Sequence, residues 1–248
     1  MYTKLDFLNQ LNELGINPTG TLKVHLSYKA IGDVEGGGET VLDALSAYMK
    51  DGLLVLPAHS WNNVREQNPV MDVLHTPTCV GAMTELFRKR PYVVRSQHPT
   101  HSVAALGKDV EAFVKGEERL ETPCGKGGCY YKLWERDAQI LLIGVNFNRN
   151  TYIHGIEEWD GAKDTLSPNS ADYYVITKEG NRIHTPQYRH CAPLGSHTFS
   201  KLEPEALHKG ILTLGKFGDA TARLTTAKAL RTMVAAHLAV APHYLYRH

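Results

Sequence analysis

An α/β fold is predicted, a three-layer α/β/α sandwich around a mixed sheet with a small β excursion in the C-terminal half. Three observations predict it. Short apolar runs of strand length alternate with stretches of helical periodicity. The clearest run, Ile140 to Val145, is continuously apolar between Asp137 and Asn146, as a strand buried on both faces would be. A β-type segment from Tyr173 to Thr177 meets a turn at Glu179-Gly180-Asn181 and a possible return strand from Arg182.

The elements follow in order. Leu5, Leu8, Leu11 and Leu14 recur three apart, so Leu5 to Leu14 is predicted helical. Thr21 to Leu26 reads as a short strand. Gly36-Gly37-Gly38-Glu39-Thr40 breaks the pattern, and Val41 to Met49 resumes it as a helix. Leu53 to Leu56 is an apolar run ending at Pro57, a buried strand. Gly81 to Arg90 places Met83, Leu86 and Phe87 on one helical face. Ser102 to Leu106 is a further short apolar piece. Thr221 to Val240 is predicted as one long helix closed by Pro242. No repeat, low-complexity tract or linker interrupts the chain. The irregular stretch Glu179 to Ser200 is too short for a domain, so residues 1–248 are predicted to form one, with the excursion around Asp172 to Thr185.

Composition narrows the function classes. A chain of 248 residues, 42% hydrophobic, should bury roughly three quarters of its unfolded surface. Its 27 basic and 26 acidic residues nearly cancel, which argues against nucleic acid or a membrane surface as partner. No apolar run reaches the ~18 residues of a transmembrane helix, and the first 16 residues lack a signal peptide's apolar core. A cytoplasmic location is therefore expected. Cys79, Cys124, Cys129 and Cys191 match neither a CxxC zinc spacing nor a short disulfide framework, and read as reduced thiols.

Three segments carry a family resemblance. The first is Val24-His25-Leu26-Ser27-Tyr28-Lys29-Ala30-Ile31-Gly32 with Gly36-Gly37-Gly38-Glu39-Thr40-Val41-Leu42. The second is Arg95-Ser96-Gln97-His98-Pro99-Thr100-His101-Ser102-Val103-Ala104-Ala105-Leu106-Gly107. The third runs from Thr122-Pro123-Cys124-Gly125-Lys126-Gly127-Gly128-Cys129 through Leu141-Leu142-Ile143-Gly144-Val145 to Thr151-Tyr152-Ile153-His154-Gly155-Ile156-Glu157. In this order and spacing the chain resembles the aminoglycoside 3-N-acetyltransferase family over nearly its whole length. Two positions depart from the family pattern: Cys129 stands where a small hydroxyl residue is frequent, and Tyr28 where a second serine is.

The resemblance implies direct transfer of an acetyl group from acetyl-coenzyme A to a primary amine, the 3-amino group of an aminoglycoside's deoxystreptamine ring. It implies His154 as general base and Glu157 as its partner. The chemistry suits these residue types, because the attacking amine must lose a proton and a carboxylate can orient an imidazole and raise its basicity. As a bare pattern, His154 and Glu157 three apart are also an ordinary helix-surface pair. Ser27, Tyr28 and Lys29, in a loop before glycine-rich sequence, are implied coenzyme A contacts, since exposed N–H groups and an ammonium favour phosphate. Arg95, Ser96, His98, Ser102, Val103, Thr122 and Cys124 are implied to line the same groove, with backbone amides near Ser102 as a possible oxyanion site.

The acceptor side has two readings. Glu157, Glu158, Asp160, Asp164 and Asp172 form either an acidic mouth for a polycationic amine or a solvated charged turn. Trp61 and Asn62 are further acceptor candidates, Trp61 equally suiting a core. A homodimer is left open. Cys124 and Cys129, flanked by glycines, read as small loop residues rather than acyl carriers. Two alternatives remain: a metal-dependent hydrolase using His98, His101, His154 and Glu157, and a coenzyme A-binding homologue that acts on a non-antibiotic amine. No metal is expected for the acyltransferase.

Overall fold

The computed structural model describes residues 1–191 and 195–246. Among these the elements run α1 (Lys4–Glu13), β1 (Thr21–Leu26), α2 (Gly38–Tyr48), β2 (Leu53–Pro57), β3 (Val70–Asp72), α3 (Ala82–Arg88), β4 (Val94–Arg95) and β5 (Val103–Gly107). They continue α4 (Val110–Val114), α5 (Cys129–Glu135), β6 (Gln139–Ile143), α6 (Tyr152–Trp159), β7 (Tyr174–Ile176), β8 (Arg182–His184), α7 (Glu203–His208), β9 (Thr213–Phe217), β10 (Ala220–Thr226) and α8 (Ala227–Val240).

A seven-stranded mixed sheet has the order β4-β5-β2-β1-β6-β10-β9. Its centre is parallel, β1 lying between β2 and β6, and its flanks are antiparallel. Strand alternation splits the core in two. Leu22, Val24, Leu54, Leu56, Leu141 and Ile143 pack with α1, α2 and α3 on one face. Leu53, Val55, Ile140 and Leu142 pack with α4, α5, α6 and α8 on the other. The three-layer α/β/α prediction is thereby realised. No helix among the described residues is long and apolar enough to cross a membrane.

The C-terminal prediction needs correction. Thr221 to Val240 is not one helix: Ala220–Thr226 is strand β10, paired antiparallel with β6 and β9. Its threonines favour a strand, and the helix starts only after Thr226, whose hydroxyl accepts from Ala229 N–H as an N-cap. The β excursion is also larger than predicted. Strands β7 and β8 form the expected hairpin, but β3, distant in sequence, joins parallel to β7 and makes a second three-stranded sheet.

Candidate active site

The parallel strands β1, β2 and β6 end on the same side, and a cleft of ≈ 740 Å³ opens there, where ligands of open α/β sheets bind. His25 and Leu26 follow from β1, Pro57 and His59 from β2, and Val145 from β6. Gly144 turns the chain at the end of β6 with φ +65°; a Cβ there would stand 2.3 Å from the Ala30 side chain. The loop beyond is pinned by Phe147 N–H to Glu203 (2.7 Å) and by Ser200 N–H to Asn148 (2.7 Å). That loop launches α6 with His154 facing the cleft.

His154 Nδ1 lies 2.8 Å from Glu157 Oε2. The pair is not on the surface: the two side chains are 13% and 0% exposed. Burial, and then the neighbouring Glu158 charge, push the Glu157 carboxyl up to about 9. Burial also pushes the His154 imidazolium well below its usual range. At neutral pH the pair is thus uncharged overall, its shared proton lying in the Nδ1···Oε2 bond and Nε2 carrying an N–H. Loss of one proton leaves Nδ1–H against a carboxylate and a bare Nε2, the form that can accept a proton from an amine.

A second dyad stands beside the first. His190 Nε2 is 2.7 Å from Glu158 Oε1, and its ring centroid is 4.7 Å from that of His154. Glu158 also accepts from Thr122 Oγ1 (2.7 Å) and Cys124 N–H (3.0 Å). His101 and His59 extend the row, with centroids 5.4 Å from His190 and 4.8 Å from each other. His59 Nε2 meets Tyr130 Oη at 2.6 Å. Burial keeps His25, His59 and His101 well below the usual imidazole range. Sequence reasoning had not singled out His25, His59 or His190. They are far apart in the chain, and only the ends of β1 and β2 and the segment after β8 bring them together.

The other predicted residues distribute as follows. Arg95 is buried and donates to Ser102 Oγ (3.0 Å), Thr76 O (2.5 Å) and Ala58 O (2.8 Å). Ser102 donates onward to Ala58 O, and Ser96 to Glu117 (2.7 Å). These side chains and the buried Val103 hold the wall together rather than facing the cleft, because their polar groups are already matched. His98 is likewise consumed: Nδ1 accepts from Thr100 and His101 N–H (3.1 and 3.0 Å), and Nε2 donates to Thr122 O (3.1 Å). It has no nitrogen left for a metal, so the set His98, His101, His154 and Glu157 is not assembled as ligands. Among the described residues one trio could share an ion, Cys124, Glu158 and His190, with ligand atoms within 4.8 Å of one another. Both Glu158 oxygens are already met by hydrogen bonds, and burial keeps the Cys124 thiol protonated.

Ser27 and Tyr28 are half-buried and Lys29 exposed, directly after cleft-lining Leu26. Trp61 lines the cleft at 42% exposure. Asn62 is exposed outside the lining and accepts from Arg65. None of the five acidic residues is among the described residues lining the cleft. Glu157 and Glu158 sit behind their histidines, and Asp160 is bound by Arg231 through two 2.7 Å contacts. Asp172 pairs with His184 (2.7 Å) and Asp164 is exposed.

Two residues before His25 on β1, Lys23 is fully buried, its Nζ without a hydrogen-bond partner and 5.5 Å from the Tyr130 ring centroid. Burial holds its ammonium well below the usual range. The folded chain holds this proton less tightly than the unfolded one, so the penalty is present below 10.5 and fades as pH rises towards it. Lys23→Met is expected to stabilise the fold at pH 7 by about 1–3 kcal/mol, the gain shrinking as pH increases. Thermal unfolding from pH 6 to 10 tests this; a destabilised variant would mean that the amine is satisfied internally.

Similarity to known proteins agrees with this geometry. A family model described as aminoglycoside 3-N-acetyltransferase matches residues 24–239. The chain is 32% identical over 173 residues to the Bacillus subtilis prophage-derived aminoglycoside N(3')-acetyltransferase-like protein YokD, covering 61% of this chain and 63% of that protein. It is 31% identical over 156 residues to aminoglycoside N(3)-acetyltransferase IV from Salmonella, covering 62% and 58%. The alignments thus span less than two thirds of either relative. A solved structure of mutant aminoglycoside acetyltransferase AAC(3)-IVa in complex with a gentamicin superposes with TM-score 0.83 at 25% identity, over 100% of this chain and 92% of that one. With the family model spanning all three resemblance segments and the fold shared end to end, the chain belongs to the aminoglycoside 3-N-acetyltransferase family.

Proposed function

We propose that the protein is an acetyl-coenzyme A-dependent N-acetyltransferase that acylates a primary amine by direct transfer. The observation that carries this reading is the buried His154–Glu157 dyad: Nδ1 is fixed by the carboxyl group, and Nε2 is the remaining nitrogen of a ring that lines the cleft. In its reacting form Nε2 takes the proton of the amine as nitrogen attacks the thioester carbonyl, and the C–S bond then breaks to release coenzyme A. Cys124 and Cys129 take no part as acyl carriers, because burial keeps both thiols protonated. Ser27, Tyr28 and Lys29, at the cleft-side end of β1, are the proposed donor contacts. The names of the relatives and the gentamicin complex make aminoglycosides the first acceptors to assay. A second reading, acetylation of a non-antibiotic amine, is favoured by one feature: no carboxylate is among the described residues lining the cleft.

Acetyl-coenzyme A should raise the melting temperature, since a ligand that binds only the native state stabilises it by about 2.7 kcal/mol at a hundredfold excess over Kd. Differential scanning fluorimetry and calorimetry measure this directly. No shift and no heat at millimolar acetyl-coenzyme A would remove the acyltransferase reading.

A further inference from the structure

We propose that Arg149 and Arg189 form an anion-binding rim of this cleft that holds a phosphate or carboxylate group. Both arginines line it. Arg149 is exposed, and neither guanidinium is in an ion pair with a carboxylate among the described residues. Arg189 is oriented by a donated bond, Nη2 to Trp61 O at 3.3 Å, which leaves other N–H donors available. Two positive charges left unpaired at one opening repel each other, and an oxyanion received by their forked donors relieves that repulsion.

The surroundings sharpen the case. The cleft's imidazoles add no compensating charge, since burial keeps His25, His59, His101 and His154 neutral. All five acidic residues between Glu157 and Asp172 are directed elsewhere or exposed away from the lining. Among the described residues, a polycation entering the cleft therefore meets two guanidiniums and no carboxylate. An amine that carries its own acid group meets a complementary rim with the base His154 in the same cleft. This deepens the acyl-transfer reading, on which it rests for the identity of the two ligands. The anion has two candidate carriers, the acceptor amine or coenzyme A with its phosphates.

Calorimetric titration of the full chain separates them, using glucosamine, glucosamine 6-phosphate, coenzyme A and inorganic pyrophosphate against wild type and the Arg149→Gln/Arg189→Gln double variant. Gln keeps a donor for the Trp61 carbonyl. If the acceptor carries the anion, wild type binds glucosamine 6-phosphate about 10-fold or more tighter than glucosamine. The double variant then loses that preference while its coenzyme A affinity stays within about twofold. If coenzyme A carries it, the double variant loses about 10-fold or more of coenzyme A affinity, with the two sugars undistinguished. Equal affinities of wild type and variant for all four probes overturn the rim. Should coenzyme A fail to bind wild type at all, the acyl-transfer reading falls, and pyrophosphate decides the rim alone: binding lost in the variant supports it, and binding unchanged or absent overturns it.

Discussion

Replacement of His154 by Ala is expected to lower kcat for amine acetylation by about 100-fold or more, while acetyl-coenzyme A affinity stays within about twofold. A general base acts chiefly in the transition state, so its loss appears in kcat rather than in ground-state binding. His190 carries the second carboxylate-held ring, Nε2 against Glu158, so His190→Ala measured in parallel shows which of the two dyads supplies the base. His154 also packs against Phe199, with centroids 4.8 Å apart, so the variant should lose some stability. Circular dichroism and a melting curve establish that it is folded before kinetics are read. A kcat near that of wild type on folded protein would show that the base lies elsewhere.

The Glu157→Gln variant should show an unusual pairing, a more stable protein that is a slower enzyme. The Glu157 carboxyl is raised from 4.5 to about 9 in the fold. Between those values the folded state keeps a proton that the unfolded state has given up. Its contribution to stability is therefore fully present below 4.5 and is lost as pH rises towards 9. At pH 7 that loss is at most about 3 kcal/mol, and glutamine, with no charge to bury, escapes it. The variant's melting temperature should exceed that of wild type at pH 8 and converge with it near pH 4. The rate effect runs the other way. Wild-type turnover should climb as the dyad loses its proton towards pH 9, and Glu157→Gln should flatten that climb. Its kcat loss should be milder than that of His154→Ala, because the amide carbonyl still accepts from Nδ1. A melting difference independent of pH would show that Glu157 is ionised in the folded protein.

Local sequence determined a good deal here. The apolar runs at Leu53–Pro57 and Gln139–Ile143 are strands because four or five consecutive apolar residues can be buried only between two helical layers. The ordered segments from Val24 to Glu157 marked the family, and the i, i+3 spacing placed His154 and Glu157 on one helical face. What sequence could not convey was long-range pairing and side-chain destination. Thr221 to Thr226 is predicted as the start of the C-terminal helix despite its threonines, yet Ala220–Thr226 is a strand because β6 offers it an edge. Val70–Asp72, with three residues, became a strand only through β7. The groove residues show the same limit. Arg95, Ser96, Ser102 and His98 have the chemistry of ligand contacts, but the tertiary structure spends their donors and acceptors on Ala58, Glu117, Thr76 and backbone N–H groups. The acidic cluster after His154 suits, by sequence, either a mouth for cations or a solvated charged turn. The fold directs Glu157 and Glu158 inward to orient two histidines and gives Asp160 to Arg231, leaving Arg149 and Arg189 at the cleft. Sequence alone determined the layers and set His154 and Glu157 on one helical face, because these rest on periodicity and short spacing, and its ordered segments carried the family resemblance. Only the tertiary structure decided the protonation of that pair and the charge of the cleft, because both depend on which groups burial removes from water and which partners it leaves them.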